Sequence, residues 1–234
     1  MEEILSGLHQ AIILIINLDP ELMRIIALSL QVTGIGLFFS TVVGIPIGSW
    51  LGLTRFRGRG LVMALLYTGM GFPPVVVGLF VYLLLSRSGP MGILGWLFTP
   101  RAMIVAQTII SFPLVAGFTM AAVMGVDPNL RQQVISLGAT NWQATLAILM
   151  EARVGVVVSI IAGFGSIISE VGAVMLVGGN IQGSTRVLTT AIVLETRKGN
   201  FDLAIALGIV LLALSFLANL AMMRLQGQGL VPKG

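Results

Sequence analysis

Cysteine is absent from this chain, histidine occurs once, and only 9% of the residues are charged. Without cysteine there is no disulfide framework, no thiolate metal site and no thiol nucleophile. The lone His9 is not a metal centre, because ligands come in clusters, and it reads as an interfacial residue. A soluble domain carries about 25% charged residues, so this chain cannot cover a water-facing surface. With 56% hydrophobic residues and a mean hydropathy of +1.03 over 234 residues, it is an integral membrane protein. The chain lacks the Gly-x-x-x-x-Gly-Lys-Ser/Thr pattern, so it holds no nucleotide by a P-loop. It also lacks a nucleophile–base pair and enough intramembrane acids for a proton relay. An enzyme is therefore not expected. The net charge of +4 is scattered among loops, as topology signals are, and does not suggest nucleic acid. The acidic start, Met1-Glu2-Glu3-Ile4, lacks the basic region of a cleavable signal peptide.

What the chain does have is long apolar runs. A spanning helix needs about 20 such residues, and five segments qualify: Ile25–Leu53, Leu61–Leu85, Ala102–Val126, Val154–Val177 and Leu203–Met223. The first is longer than needed and should tilt, or bend at Pro46. Ile4, Leu8, Ile12 and Ile15 share one helical face, so residues 1–22 are expected to form an interfacial helix along the membrane. A short extra span is the alternative. Residues 23–226 then form the transmembrane domain, and 227–234 a short tail. The fold class expected is all-α integral membrane, with five transmembrane helices plus the N-terminal interfacial helix. Five spans divide the basic residues almost equally between the two sides. The compact cluster Arg55, Arg57 and Arg59 lies in a very short loop, where the positive-inside rule weighs most. It puts the loop 127–153 and the C-terminus in the cytoplasm and the N-terminus outside.

Three places interrupt the apolar pattern. Pro73 and Pro74 sit inside the second span, removing backbone hydrogen bonds. Such a break survives in lipid only where protein or water satisfies the freed groups. It marks either a kink lining a path or a packing kink. Glu170 is the one charge deep within a span, and the cost of its burial points it to the bundle interior. It is either functional or a neutralised structural carboxyl. Beyond it, Asn180, Ser184, Thr185 and Arg186 set donors at an external mouth, where Arg186 could attract an anion. A capped re-entrant helix at the interface is the other reading.

The longest water-compatible stretch runs from Asp127 to Arg153 and has the pattern helix, glycine, helix. Gly138 allows the turn, and Thr140 or Asn141 is a natural N-cap for the second helix. Gln132 to Gly138, followed by Ile148 and Glu151, resembles the cytoplasmic loop of ABC-importer permeases, E-A-A-x-x-x-G-x9-I-x-L-P. Gly138 and Ile148 match; Gln132, Gln133 and Val134 replace Glu-Ala-Ala, and Met150-Glu151 replaces Leu-Pro. Pro73 to Gly78, Ser86 to Pro90, Ile168 to Ala173, Gly178 to Ile181 and Thr185 to Ile192 extend the likeness. Together these segments resemble the permeases of tungstate ABC importers, which are close to the molybdate permeases.

The resemblance implies a type I ABC-importer permease fold and a homodimer. It also implies two ABC ATPase subunits, which bind the ATP and magnesium, and an extracytoplasmic tungstate-binding protein. No cofactor is expected on this chain itself. Gln132, Gly138, Ala139, Thr140, Asn141, Trp142, Ile148 and Glu151 would form the ATPase-coupling loop. Pro73, Pro74, Ser166, Ser169, Asn180, Thr185 and Arg186 are the translocation-path candidates, and Glu170 a structural or gating residue. An ionised Glu170 facing the path would repel a dianion by on the order of several kcal/mol at low effective dielectric, so it is not expected to be a cargo ligand. A molybdate or sulfate permease of the same fold, or an ATPase-independent secondary transporter, remains open on these residues.

Overall fold

The computed structural model describes residues 19–225 continuously, with Ser6, His9, Ile12, Ile13, Ile16 and Asn17. The expected N-terminal interfacial helix and the tail 227–234 lie largely outside the described residues. Between Asp19 and Leu225 all regular structure is helical. In chain order the helices are α1 (Pro20–Leu53), α2 (Arg59–Met70), α3 (Pro74–Leu85), α4 (Pro100–Met124), α5 (Pro128–Ser136), α6 (Asn141–Glu151), α7 (Arg153–Ile168), α8 (Gly172–Gly178), α9 (Leu188–Arg197) and α10 (Phe201–Leu225). A 3-10 turn, Gly92–Leu94, lies between α3 and α4.

Among the described residues, three helices, α1, α4 and α10, are long and apolar enough to cross a membrane alone, and up to five spans result if each bent pair is one crossing. α1 begins at Pro20, whose missing N–H costs nothing at N1, and Asp19 caps it by accepting the Leu22 N–H at 2.8 Å. At 34 residues it is roughly 50 Å long, against a hydrocarbon core of about 30 Å. The helix runs through Pro46 unbroken. The second apolar segment is not a kinked rod: α2 and α3 meet at 99° across Gly71, Phe72 and Pro73. The expected continuous span Val154–Val177 is also corrected. It is α7 and α8, separated by a non-helical joint at Ser169–Val171.

α4 is the centre of the bundle, touching α1, α2, α3, α7 and α8. Its inward residues Met103, Ala106, Val115, Ala116 and Met120 are buried. Van der Waals contact between apolar helices in lipid needs small residues at the crossing, and α1 supplies Gly44, Gly48 and Gly52, one helical turn apart. A methyl group on Gly48 would collide with the backbone carbonyl of Ala116, and one on Gly52 would lie 2.8 Å from the Val123 side chain. Hydroxyl pairs finish the seams: Ser111 and Ser40 lie 2.9 Å apart, and Thr119 and Ser159 3.0 Å apart.

The α1–α4 seam gives a test. Gly48→Val should destabilise the protein by about 1–3 kcal/mol or more through overpacking, read as earlier loss of monodisperse protein on heating in detergent. Gly60→Ala, where a methyl meets nothing within 4 Å, should leave the midpoint unchanged.

Candidate functional site

The polar segment folds as a tight helical hairpin. Asp127 caps α5 through the Asn129 N–H at 2.8 Å. α5 ends at Gly138, whose φ of +92° is a left-handed conformation that a side chain would strain. The Ala139 N–H then reaches back to the Val134 carbonyl at 3.2 Å, closing the turn. Of the two expected caps, Thr140 is the one used. Its hydroxyl accepts the Gln143 backbone N–H, and the Gln143 side-chain Oε1 accepts the Thr140 N–H at 2.7 Å, a reciprocal capping box.

The hairpin has a buried root and an apolar crown. Ile148 is buried with Val123 of α4 and Ala152, and Leu53 and Leu130 pack against them. Leu137 and Trp142 stand at the turn, 88% and 73% exposed, and Met150 is also exposed. Gln132, Ala139, Asn141 and Glu151 lie on the same exposed or half-exposed hairpin. Exposed large apolar groups on an otherwise polar segment mark a contact surface. Only Ala152 separates α6 from α7, and the two helices meet at 63°. The hairpin is thus the bent continuation of α7.

At the far end of α7 the joint at Ser169–Val171 exposes backbone groups that must be paired. The Ser169 hydroxyl donates to the Gly165 carbonyl at 2.9 Å, and the Thr189 hydroxyl of α9 donates to the Glu170 carbonyl at 3.0 Å. The Glu170 carboxylate accepts the Ala173 N–H at 2.9 Å. Glu170 is therefore occupied in starting α8. Sequence reasoning missed one participant: Gln107 of α4, whose side-chain amide donates to the Ile167 carbonyl at 3.1 Å. The available signal was a polar stripe, Gln107 and Ser111 one turn apart, inside an apolar span.

The path candidates do not converge on one point. Pro74 and Ser166 line a common, largely apolar cavity of about 520 Å³ with Gly69, Phe72, Ile110 and Pro113. Pro73 caps α3 at the α2–α3 elbow beside it. Ser169 lies in the joint. Thr185 is fully buried, donating to the Gly178 carbonyl at 2.6 Å and accepting the Ile181 N–H, so its hydroxyl is engaged within the chain. Asn180 takes a left-handed conformation, φ 52°, and donates to the Thr190 carbonyl at 3.3 Å. Arg186, expected as an anion attractor, is mostly buried and lies 3.5 Å from the Glu21 carboxylate at the start of α1. Nearby, Glu195 accepts from Lys198 at 2.8 Å and Asn200 at 3.1 Å. The Lys198 hydrogen bond holds its carboxyl below the ordinary glutamate value despite burial.

A family model described as binding-protein-dependent transport system inner membrane component matches residues 44–228. The chain belongs to this family. It is 46% identical to the probable anion ABC transporter permease protein of Haloferax volcanii, over 82% of this chain and 85% of that one. It is 40% identical to the tungstate uptake system permease protein TupB of Peptoclostridium acidaminophilum, over 97% and 99%. The molybdenum transport permease ModB of Escherichia coli is 32% identical, over 86% and 92%. Among solved structures, the inward-facing MetNI methionine ABC transporter superposes with a TM-score of 0.71 at 22% identity, covering 89% of this chain and 97% of that one. The protein is a permease component of an ABC importer, of the type I importer permease fold. The match spans the elbow, the hairpin and the α7–α8 joint alike.

Two outcomes are expected at the joint and at Glu195. Glu170→Gln keeps an acceptor for the Ala173 N–H and should fold normally, whereas Glu170→Ala should lose ~1 kcal/mol, as other cap removals do, in the same heating assay. Because the folded-state pKa of Glu195 is lowered, its stabilisation is fully present above the unfolded glutamate value, about 4.3. It is lost as pH falls through the lower folded value. Wild type should therefore outlast Glu195→Gln at neutral pH, with the gap closing below about pH 4.

Proposed function

We propose that the chain forms the translocation path of an ATP-driven importer for the tungstate oxyanion. It works as a homodimer with two ABC ATPase subunits and an extracytoplasmic tungstate-binding protein. The observation that carries the cargo is the 40% identity to a tungstate permease over 97% of this chain. The hairpin of α5 and α6 lies in the cytoplasm with the C-terminus, and the N-terminus lies outside, following the Arg55, Arg57, Arg59 cluster. Leu137, Trp142 and Met150 enter the partner ATPase, with Gln132, Ala139, Asn141 and Glu151 around them. ATP binding and hydrolysis there shift α6, and α7 carries the movement to the joint beside Glu170. Alternating access follows from the change at the joint and the α2–α3 elbow.

The electrostatics support this division of labour. A dianion is poorly served by a path lined with carboxylates, and Glu170 is engaged by a backbone N–H. Pro73, Pro74 and Ser166 at the elbow cavity and Ser169 at the joint are the path residues this reading favours. Asn180, Thr185 and Arg186 instead brace the outer loop. Molybdate transport by the same machinery is the second reading, favoured by the 32% identity to a molybdenum permease.

Proteoliposomes holding the permease, the ATPase and the binding protein should take up tungstate only with ATP inside. Excess molybdate should compete weakly. Equal competition would assign the chain to both oxyanions. Uptake without the ATPase, driven by an ion gradient, would refute the coupling.

A further inference from the structure

The buried amide of Gln107 is 4% exposed, and its two ends fare differently. The NH2 end donates to the Ile167 carbonyl at the end of α7. The carbonyl oxygen, Oε1, is buried without a partner. Turning the amide over would set two oxygens against each other, so the orientation is forced. A buried acceptor left empty in an interior where nearly all such groups are paired calls for an explanation.

The surroundings fix where Gln107 stands. Its Cβ faces α1, 3.0 Å from the place a methyl group on Gly36 would occupy, and its backbone carbonyl accepts the Ser111 hydroxyl at 2.7 Å. Ser111 is itself bonded to Ser40 of α1. Gln107 is thus mounted on the packed α1–α4 pair, while its target, Ile167, sits at the end of α7, the helix that the proposed coupling moves. The Glu170 N–H also donates to the Ile167 carbonyl, at 3.3 Å. One carbonyl therefore joins the central helix, the end of α7 and the residue that starts α8.

We propose that Gln107 is a positioning residue for transport, a two-ended tether that holds the α7–α8 joint in this state through Ile167 and in the alternate state through a backbone N–H of the joint donated to Oε1. The unpaired oxygen is the vacant half of that pair. This rests on the reading that α7 carries movement from the hairpin to the joint. It adds a residue that need never touch the cargo.

The absence of cysteine permits a direct test. Spin labels at Leu176→Cys on α8 and Phe118→Cys on α4, both exposed, report joint movement in the reconstituted complex with and without trapped nucleotide. In the otherwise wild-type protein the distance should change with nucleotide. Gln107→Leu should abolish that change and lower cargo imported per ATP by about tenfold, with assembly and heat stability retained. Gln107→Glu should be neutral in the apolar interior, with a hydroxyl to donate and an oxygen to accept, and should recover most of both readouts. An unaltered distance change and coupling ratio in Gln107→Leu would overturn the proposal, as would loss of both in step with failed assembly in either variant. An unmoving joint in the parent would overturn it too. A moving joint with no tungstate uptake would instead remove the cargo reading and leave Gln107 to be decided by the distances.

Discussion

A helix that breaks inside hydrocarbon has no water to satisfy its backbone, so protein must do it. Among the described residues, the apolar segments expected to span are interrupted at the α2–α3 elbow and at the α7–α8 joint, and polar groups gather around those places. Ser169, Thr189, Glu170 and Gln107 attend the joint. Prolines that lack an N–H start α3 and line the elbow. The hydrocarbon constraint decides where a polar side chain can be tolerated, and on the proposed reading those positions are where the path changes shape.

The remaining architecture keeps these breaks in register. α4 is the central element, packed on α1 along a glycine stripe that brings backbones into contact. α7 leans on the same helix and continues, past Ala152, into the hairpin. The hairpin is stiff because its turn and cap are closed by hydrogen bonds within it, and it is anchored because Ile148 is buried at its root. On the proposed reading, the arm on one end of α7 and the joint on the other make a lever in which a push at the crown is felt beside Glu170.

Much of this is legible in the sequence. The apolar runs mark the spans, Gly138 and Thr140 mark the turn and cap, and the motif run through Glu170 marks the family. The breaks are sharper than the sequence suggests. Pro73 and Pro74 announce a kink but not a bend of 99°, because hydropathy averages over a corner. The apolar window Val154–Val177 likewise conceals the joint, since Ser169 and Glu170 hardly lower its mean. The contact between Arg186 and Glu21 is not visible in the sequence because the two lie far apart along the chain. Gln107 escapes notice because one amide in an apolar helix carries no motif, and only the fold places it against Ile167.

If the hairpin is the arm of this lever, its crown is where an ATPase seats. Single cysteines at Leu137 and Trp142, in a chain that has none of its own, can be joined by a short crosslinker to the purified ATPase subunit. A cysteine at the exposed Phe80 of α3 serves as control. Adducts are expected from the two hairpin positions and none from Phe80. Hairpin cysteines that stay unlinked and equally open to a water-soluble thiol reagent with and without the ATPase would contradict the lever.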